Sequence, residues 1–486
     1  MKNRTHEGVD GQICAPAGPV AWRVAHALQT VLFAACVSVM DAHAQETDAR
    51  FYAAPKPLAE NVRTADWPRY LGPSENATSP ETGLLRDFSG SGPRMVWEYP
   101  KGEGHTSPAV VQGRVFLFHR IGDDEVLDCL EAETGKRIWR NTDRAPYRDR
   151  YGSGNGPRTN PVVSGSRVYV YGVTGRLRGM DLETGATEWI RDFEQEEGLV
   201  PNFFGHGSTP LVADGRVVVQ AGTRSGDCVI ALDPDSGRDV WRVRHPWGAS
   251  YSSPVPFTTG GKRFVLIFAG GESRPATGGL LCIDLESGTL RGSIAHRARI
   301  AESVNVSAPV VLGGDMVMVS EAYGAGTLAA RFSVGNGVSS GAVLEKAWAA
   351  LDTGFYLMTP LVSGGWVFGF DGQSQRLAEL VCLEAATGRV RWRDDLGGRF
   401  QRGTLLSVDG GYLCLGETGR LGWLDISGAG VRLLSETELF SAPETWALPA
   451  LSRGLLYVSQ NARGAGGTKP RLICYDLRGG GGGARQ

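Results

Sequence analysis

The sequence predicts an all-β ring, an eight-bladed β-propeller of four-stranded antiparallel blades, closed by strands from its two ends. Three observations predict it. A phrase with an apolar lead, an acid, a Thr-Gly or Ser-Gly pair and a Trp recurs as CLEAETGKRIW to Trp139, GMDLETGATEW to Trp189, ALDPDSGRDVW to Trp241 and CLEAATGRVRW to Trp392. A second phrase, a small or hydroxyl pair and a Pro ahead of an apolar run, recurs in step with it. Glycine is abundant at 68 of 486 residues, as a chain with many tight turns at φ > 0 requires. Repeats of about 50 residues holding four short strands have the size of a propeller blade, whereas solenoid repeats are shorter and mostly helical.

The count is eight by either phrase. The acids fall at Glu131, Asp181, Asp233, Asp284, Glu384, Asp425 and Asp476, and the gap of 100 residues between Asp284 and Glu384 holds one degenerate copy, residues 328–334 followed by LEKAW to Trp348. The prolines fall at Pro108, Pro161, Pro210, Pro254, Pro309, Pro360 and Pro449, and GTLLSV (403–408) fills the eighth place without one. A Pro can open a strand because no ladder hydrogen bond is lost there. Runs of four to seven Val, Ile, Leu, Tyr and Phe after each Pro and each Gly turn read as strands. RMVWEYP (94–100) reads as a fourth strand with no blade before it, and LICYDLRG (472–479) stops after its third. Pairing them closes the ring and removes free edges. The expected organisation is residues 1–44 an export signal, 45–93 a leading segment, 94–478 the propeller and 479–486 a flexible Gly-rich tail.

Features repeated in nearly every blade read as architecture. The acid is expected to hydrogen-bond the Thr-Gly turn. Trp97, Trp139, Trp189, Trp241, Trp348 and Trp392 are expected to wedge between adjacent blades and bury their rings. Cys129, Cys282, Cys382 and Cys474 each sit two residues before the acid, and Ala231 takes that place in another copy. They therefore read as small buried residues on separate strands, too far apart for disulfides. No Cys/His metal spacing occurs, so no metal site is expected.

The apolar run from Thr30 to Met40, with AHA (42–44) behind it, reads as a signal cleaved before Gln45; the long leader leaves room for a start codon downstream of Met1. The run is too short for a stable membrane anchor. FAAC, ending at Cys36, resembles a lipid-attachment box, but Phe33 and the apolar residues after Cys36 fit it poorly. A net charge of −2 leaves no electrostatic footprint for nucleic acid.

The acid–Thr-Gly–Trp phrase resembles the tryptophan-docking motif of PQQ-like β-propellers over roughly residues 65–478. One branch of that family, the quinoprotein alcohol dehydrogenases, implies pyrroloquinoline quinone with calcium. Another is non-enzymatic, periplasmic and similar to the outer-membrane assembly factor BamB. DWPRYLGPSENATSPETGLL (66–85) resembles the opening of many exported PQQ-like repeat proteins. The dehydrogenases' vicinal Cys-Cys pair is absent here, as is the CxxCH of a haem domain, and their calcium-binding and catalytic acids match no positions of this chain.

Residues just before each Pro start the innermost strands and differ from blade to blade, as a binding surface would. They give His105, Arg158, His206, Tyr251, Asn305 and Trp446, with Arg402 in the copy without Pro, as candidates to meet a polar or anionic ligand at the channel mouth. The bland alternative is that they bond loops or channel water. YGSGNGPRTN (151–160) reads as a loop holding Arg158, and Phe203 and Phe204 as a partner patch or packing under that loop. The leading expectation is a monomeric, exported binding or protein-interaction scaffold of the cell envelope, with a protein or peptide partner and no cofactor. The alternative is a quinoprotein-type oxidoreductase with a divergent site; small-ligand or carbohydrate binding, or hydrolytic or lyase chemistry, also stays open.

Overall fold

A computed structural model describes residues 49–300, 303–333, 343–372 and 378–479. The export signal, Cys36 and residues 480–486 of the Gly-rich tail lie outside the described residues.

The chain forms eight antiparallel blades, each running from an inner to an outer strand. Blade 1 comprises Ala109–Val111, Arg114–Ile121, Asp124–Glu131 and Arg137–Arg144. Blade 2 follows with Val162–Ser164, Arg167–Tyr171, Arg176–Asp181 and Thr187–Asp192, and blade 3 with Leu211–Ala213, Arg216–Gln220, Asp227–Leu232 and Asp239–Arg244. Blades 4 to 7 start at Val255–Thr259, Val310–Gly313, Leu361–Ser363 and Thr404–Val408. The degenerate copy is blade 5, with third and fourth strands Gly326–Ser333 and Val343–Ala350. Blade 8 takes Ala450–Ser452, Leu455–Gln460 and Arg471–Asp476 from the C-terminal end and Arg94–Pro100 from the N-terminal end, so the ring closes across the chain's two ends.

The repeated phrase is one docking device. Its acid accepts hydrogen bonds from the turn hydroxyl, Asp181 from Thr184 Oγ1 at 2.6 Å and Asp233 from Ser236 Oγ at 2.7 Å. The indole N–H of each Trp donates to the backbone carbonyl just after the acid of the next blade: Trp97 to Ala132 at 2.9 Å, Trp189 to Pro234 at 3.0 Å, Trp241 to Leu285 at 3.1 Å and Trp348 to Ala385 at 3.0 Å. Trp139 reaches Leu182 in the same way at 3.3 Å, and Trp392 reaches Ser427 at 2.9 Å. The turn glycine lies flat against that ring. A Cβ on Gly288, where φ is +71°, would stand 2.6 Å from Trp241. Within its own blade each Trp faces a small residue across the strand pair, Cys129 opposite Trp139 and Cys382 opposite Trp392, with Gly179 and Ala231 in the same role. Steric fit under an indole thus explains Cys129, Cys382 and Cys474, whereas Cys282 faces Gly292 and Cys414 faces Gly422; the six described cysteines are free and buried.

The leading segment departs from expectation: it belongs to the ring. Arg50–Phe51 adds a fifth strand outside blade 8, and Thr78–Ser79 pairs in parallel with the innermost strand of blade 7. Between them the chain bonds to inner strands around the ring. Trp67 pairs with Val110 of blade 1, the Pro68 carbonyl accepts from Val163 N of blade 2, and Arg69 reaches the Val212 carbonyl of blade 3. Glu81 accepts from the backbone N–H groups of Arg453 and Gly454 in blade 8. Residues 67–81 therefore lie across one end of the axial channel as a plug, with Trp67 fully buried.

Candidate functional site

Above the plug the channel opens into a cavity of about 230 Å³. Its floor is the ring of Tyr70, whose phenol pKa burial raises. Its wall follows a rule of position. The residue three before each repeated Pro faces the axis: His105, Arg158, Tyr251 and Trp446 line the cavity, and so do Gly207, Val306 and Leu357 at the same offset. Arg402, equivalent in blade 7, stands behind this wall and stacks over Trp446 and Tyr356 at 5.2 and 5.8 Å.

His206 and Asn305 are four residues before their prolines and turn away, following side-chain alternation along an extended chain, whereas Tyr356, at the same offset in blade 6, lines the cavity beside Leu357. His206 is buried beside Tyr171, and burial lowers its pKa to about 4. Asn305 is buried with its amide directed at the Phe268 and Ala269 carbonyls, both at 3.4 Å. These two expected ligand contacts are therefore not part of the cavity.

The residue immediately before the Pro lines the cavity in four blades and joins neighbouring blades. Ser107 N donates to Asn160 Oδ1 at 2.5 Å, Asn160 N to Thr209 Oγ1 at 3.0 Å and Thr209 N to Ser253 Oγ at 3.1 Å. The Ser107 hydroxyl bonds the Leu448 carbonyl of blade 8. The hydroxyl pairs ahead of the prolines thus form an inter-blade belt.

Charge at the site is compensated within the protein. The Arg158 guanidinium folds back on its own Gly-rich loop, donating to the carbonyls of Gly156, Gly154 (2.8 Å) and Ser153 (3.3 Å), with Asp149 at 3.6 Å. Burial lowers its pKa. Asp149 fixes the loop by accepting from Tyr151 N and Ser153 N at 3.0 and 2.7 Å. His105 stacks on Trp446 with ring centroids 5.5 Å apart. Its Nε2 meets the Ser153 carbonyl at 3.3 Å, an acceptor, so that nitrogen carries the proton. Burial first, then Arg158 and Lys101, lowers its pKa to about 4, and the ring is neutral at pH 7. Arg402 is held by Glu417, with Nε to Oε2 at 2.9 Å, and Trp446 donates to the same carboxylate at 2.9 Å. At the rim Tyr151 packs on Phe203 and Phe204, and the Tyr251 hydroxyl accepts from Phe204 N at 2.6 Å.

Tyr70, Tyr356, Val306 and Leu357 are not among the residues expected from the sequence. The last two were findable from the constant offset of three; Tyr70 had no repeat to mark it.

This donor set does not fit a calcium-bound quinone. No Asp or Glu lines the cavity, and no cluster of three or more His, Cys, Asp or Glu among the described residues is placed to hold a metal. The one cation on the wall is already engaged by three carbonyls and a carboxylate.

Comparison with known proteins gives related scaffolds with different activities. A family model described as outer membrane protein assembly factor BamB matches residues 123–394. BamB of Xanthomonas campestris pv. campestris is 38% identical over 92 residues, 19% of this chain and 22% of that protein. The quinohemoprotein alcohol dehydrogenase ADH-IIG of Pseudomonas putida is 28% identical over 191 residues, 37% of this chain and 24% of the enzyme. The matches thus span about a quarter or less of either relative. Among solved structures, BamB of Moraxella catarrhalis aligns with a TM-score of 0.51 at 14% identity, over 79% of this chain and 99% of that one. The quinohemoprotein alcohol dehydrogenase of Comamonas testosteroni aligns with a TM-score of 0.58 at 13% identity, over 87% and 82%. At these identities the likeness is one of fold.

Proposed function

The chain belongs to the BamB-type family of PQQ-like β-propellers, and on that premise we propose that it is a non-catalytic binding scaffold of the cell envelope with a protein or peptide partner. The observation that carries this reading is the axial cavity's lack of carboxylates, combined with an imidazole that is neutral at pH 7 and an arginine folded onto its own loop. General acid–base catalysis needs a base near its working pH and within reach of the substrate, and a calcium-bound quinone needs oxygen ligands. The wall offers neither. Location in the envelope rests on the expected export signal and on the name of the family model. Among the described residues no helix is long and apolar enough to cross a membrane.

The test is a titration with pyrroloquinoline quinone and calcium, followed by absorbance and by dye-linked oxidation of alcohols. The expected result is no saturable binding at micromolar quinone and no turnover. Saturable binding with turnover overturns the scaffold reading in favour of a quinoprotein oxidoreductase.

A further inference from the structure

We propose that the axial cavity is a receptor site for a single uncharged aromatic ring. The proposal rests on the reading of this chain as a binding scaffold and names the chemistry its axis accepts.

The cavity is blind. The plug closes one end with Tyr70, so a guest enters from the face where Tyr151, Phe203 and Phe204 pack together. Its wall is mostly carbon, from Tyr251, Val306, the adjacent Tyr356 and Leu357, and Trp446, which lead into blades 4, 5, 6 and 8. Aromatic rings set around a void meet a guest ring in offset or edge-to-face contact, the geometry their quadrupoles favour. An apolar cavity of about 150 Å³ already takes benzene, so about 230 Å³ admits one ring with a small substituent.

Apart from His105 Nδ1, a buried acceptor without a partner that a single hydroxyl on the ring can fill, the polar groups on the wall are engaged and reject other guests. A sugar exchanges its water hydrogen bonds for bonds to the site, and buried polar groups that find no partner cost affinity. Here the belt of Ser107, Asn160, Thr209 and Ser253 already bonds blade to blade. The Tyr251 hydroxyl already accepts from Phe204 N. A cation finds no carboxylate on the wall. An anion finds Arg158, but with Asp149 at 3.6 Å and its N–H groups on the carbonyls of residues 153, 154 and 156. Burying a charge without a dedicated partner is unfavourable. A neutral ring is the guest whose burial these groups leave unopposed.

Gly207 is what keeps the space open. A Cβ at this position would stand 2.4 Å from the Tyr251 ring and 3.3 Å from Arg158. Any other residue at this point of the wall pushes Tyr251 or Arg158 aside.

The full chain is titrated by calorimetry at pH 7.5 with three rings of one size: p-cresol, benzoate and benzylamine. One equivalent of p-cresol is expected to bind saturably, with a negative heat-capacity change, and benzoate and benzylamine at least about tenfold more weakly. Val306→Trp fills the cavity from blade 5 and is expected to abolish p-cresol binding. Tyr356→Leu, which opens the wall, is expected to weaken binding at least about fivefold and serves if Val306→Trp does not fold. Benzoate binding as tightly as p-cresol overturns the proposal and makes Arg158 an anion site. No binding of any ring at millimolar concentration, or p-cresol binding unchanged in both folded variants, also overturns it. These failures differ from the failure of the scaffold reading, which requires quinone binding with turnover.

Discussion

Replacing Trp67 by Ala tests whether the leading segment is an integral part of the ring. Trp67 is fully buried, its backbone pairs with Val110 at 2.7 and 2.8 Å, and Gly72 packs so close to its ring that a Cβ there would stand 2.7 Å away. Removing a buried Trp side chain costs about 3–5 kcal/mol. The lower half of that range applies, because the indole N–H has no partner and its removal leaves no carbonyl unsatisfied. Unfolding entropy of about 2.1 cal/mol/K per residue gives roughly 0.9 kcal/mol/K for a ring of this size. The expected loss is therefore about 3–5 °C in Tm, measured by calorimetry at a fixed scan rate. Because a propeller need not unfold in one step, limited trypsin digestion supplies a local readout. Arg69, whose side chain is held by Glu75 and the Val212 carbonyl, becomes an early cleavage site in Trp67→Ala and stays protected in the wild type. A Tm within about 1 °C of wild type, with Arg69 still protected, refutes the plug as a structural member.

Two further outcomes follow from the same geometry. Gly288→Ala forces a Cβ to 2.6 Å from Trp241 at φ +71°, whereas Gly215→Ala, at φ +66°, meets nothing within 4 Å; both carry the left-handed backbone cost of about 1 kcal/mol, so Gly288→Ala is expected to melt lower than Gly215→Ala, and equal Tm values refute the docking role of the turn glycine. Between pH 6.5 and 4 the unfolded chain binds a proton at His206 that the folded chain does not, because burial lowers the folded pKa to about 4. Stability therefore falls as pH drops through this window, by up to about 1.4 kcal/mol per pH unit, and levels off below it. His206→Gln is expected to flatten the fall in Tm between pH 7 and 5, and an unchanged slope counts against His206 as its source.

The blades were legible because their signals are local and repeated. An acid, a Thr-Gly pair and a Trp at fixed offsets specify one turn, one indole N–H acceptor and one flat glycine, and eight copies average out a degenerate one such as 328–348. The plug was not legible for the opposite reason. Residues 67–81 occur once, without strand alternation, and their polar groups are satisfied by partners up to 373 residues away, as in the bonds from Arg453 N and Gly454 N to the Glu81 carboxylate. No local pattern encodes a segment whose conformation is set by the hole it fills.

The site shows how a sound premise misses when residue type overrides register. Side chains alternate along extended backbone, so the axis-facing position recurs at one offset from the Pro, with Tyr356 of blade 6 joining the wall from the neighbouring offset. His105, Arg158, Tyr251 and Trp446 stand at that offset and line the cavity. In blades 3 and 5 the polar neighbours His206 and Asn305 drew the reading one residue too far, past Gly207 and Val306. That slip changes the chemistry inferred. With His206 and Asn305 on the wall the cavity looks polar and suited to an anion; with Gly207 and Val306 in their places, and Leu357 added from blade 6, it is an aromatic and aliphatic pocket. Its histidine is neutral at pH 7 and its arginine compensated. The same alternation puts Ser107, Asn160, Thr209 and Ser253 two residues further on, where they join blade to blade. One short extended stretch per blade thus carries both tasks: its third residue before the Pro sets what the axis binds, and its last residue holds the ring that shapes the axis.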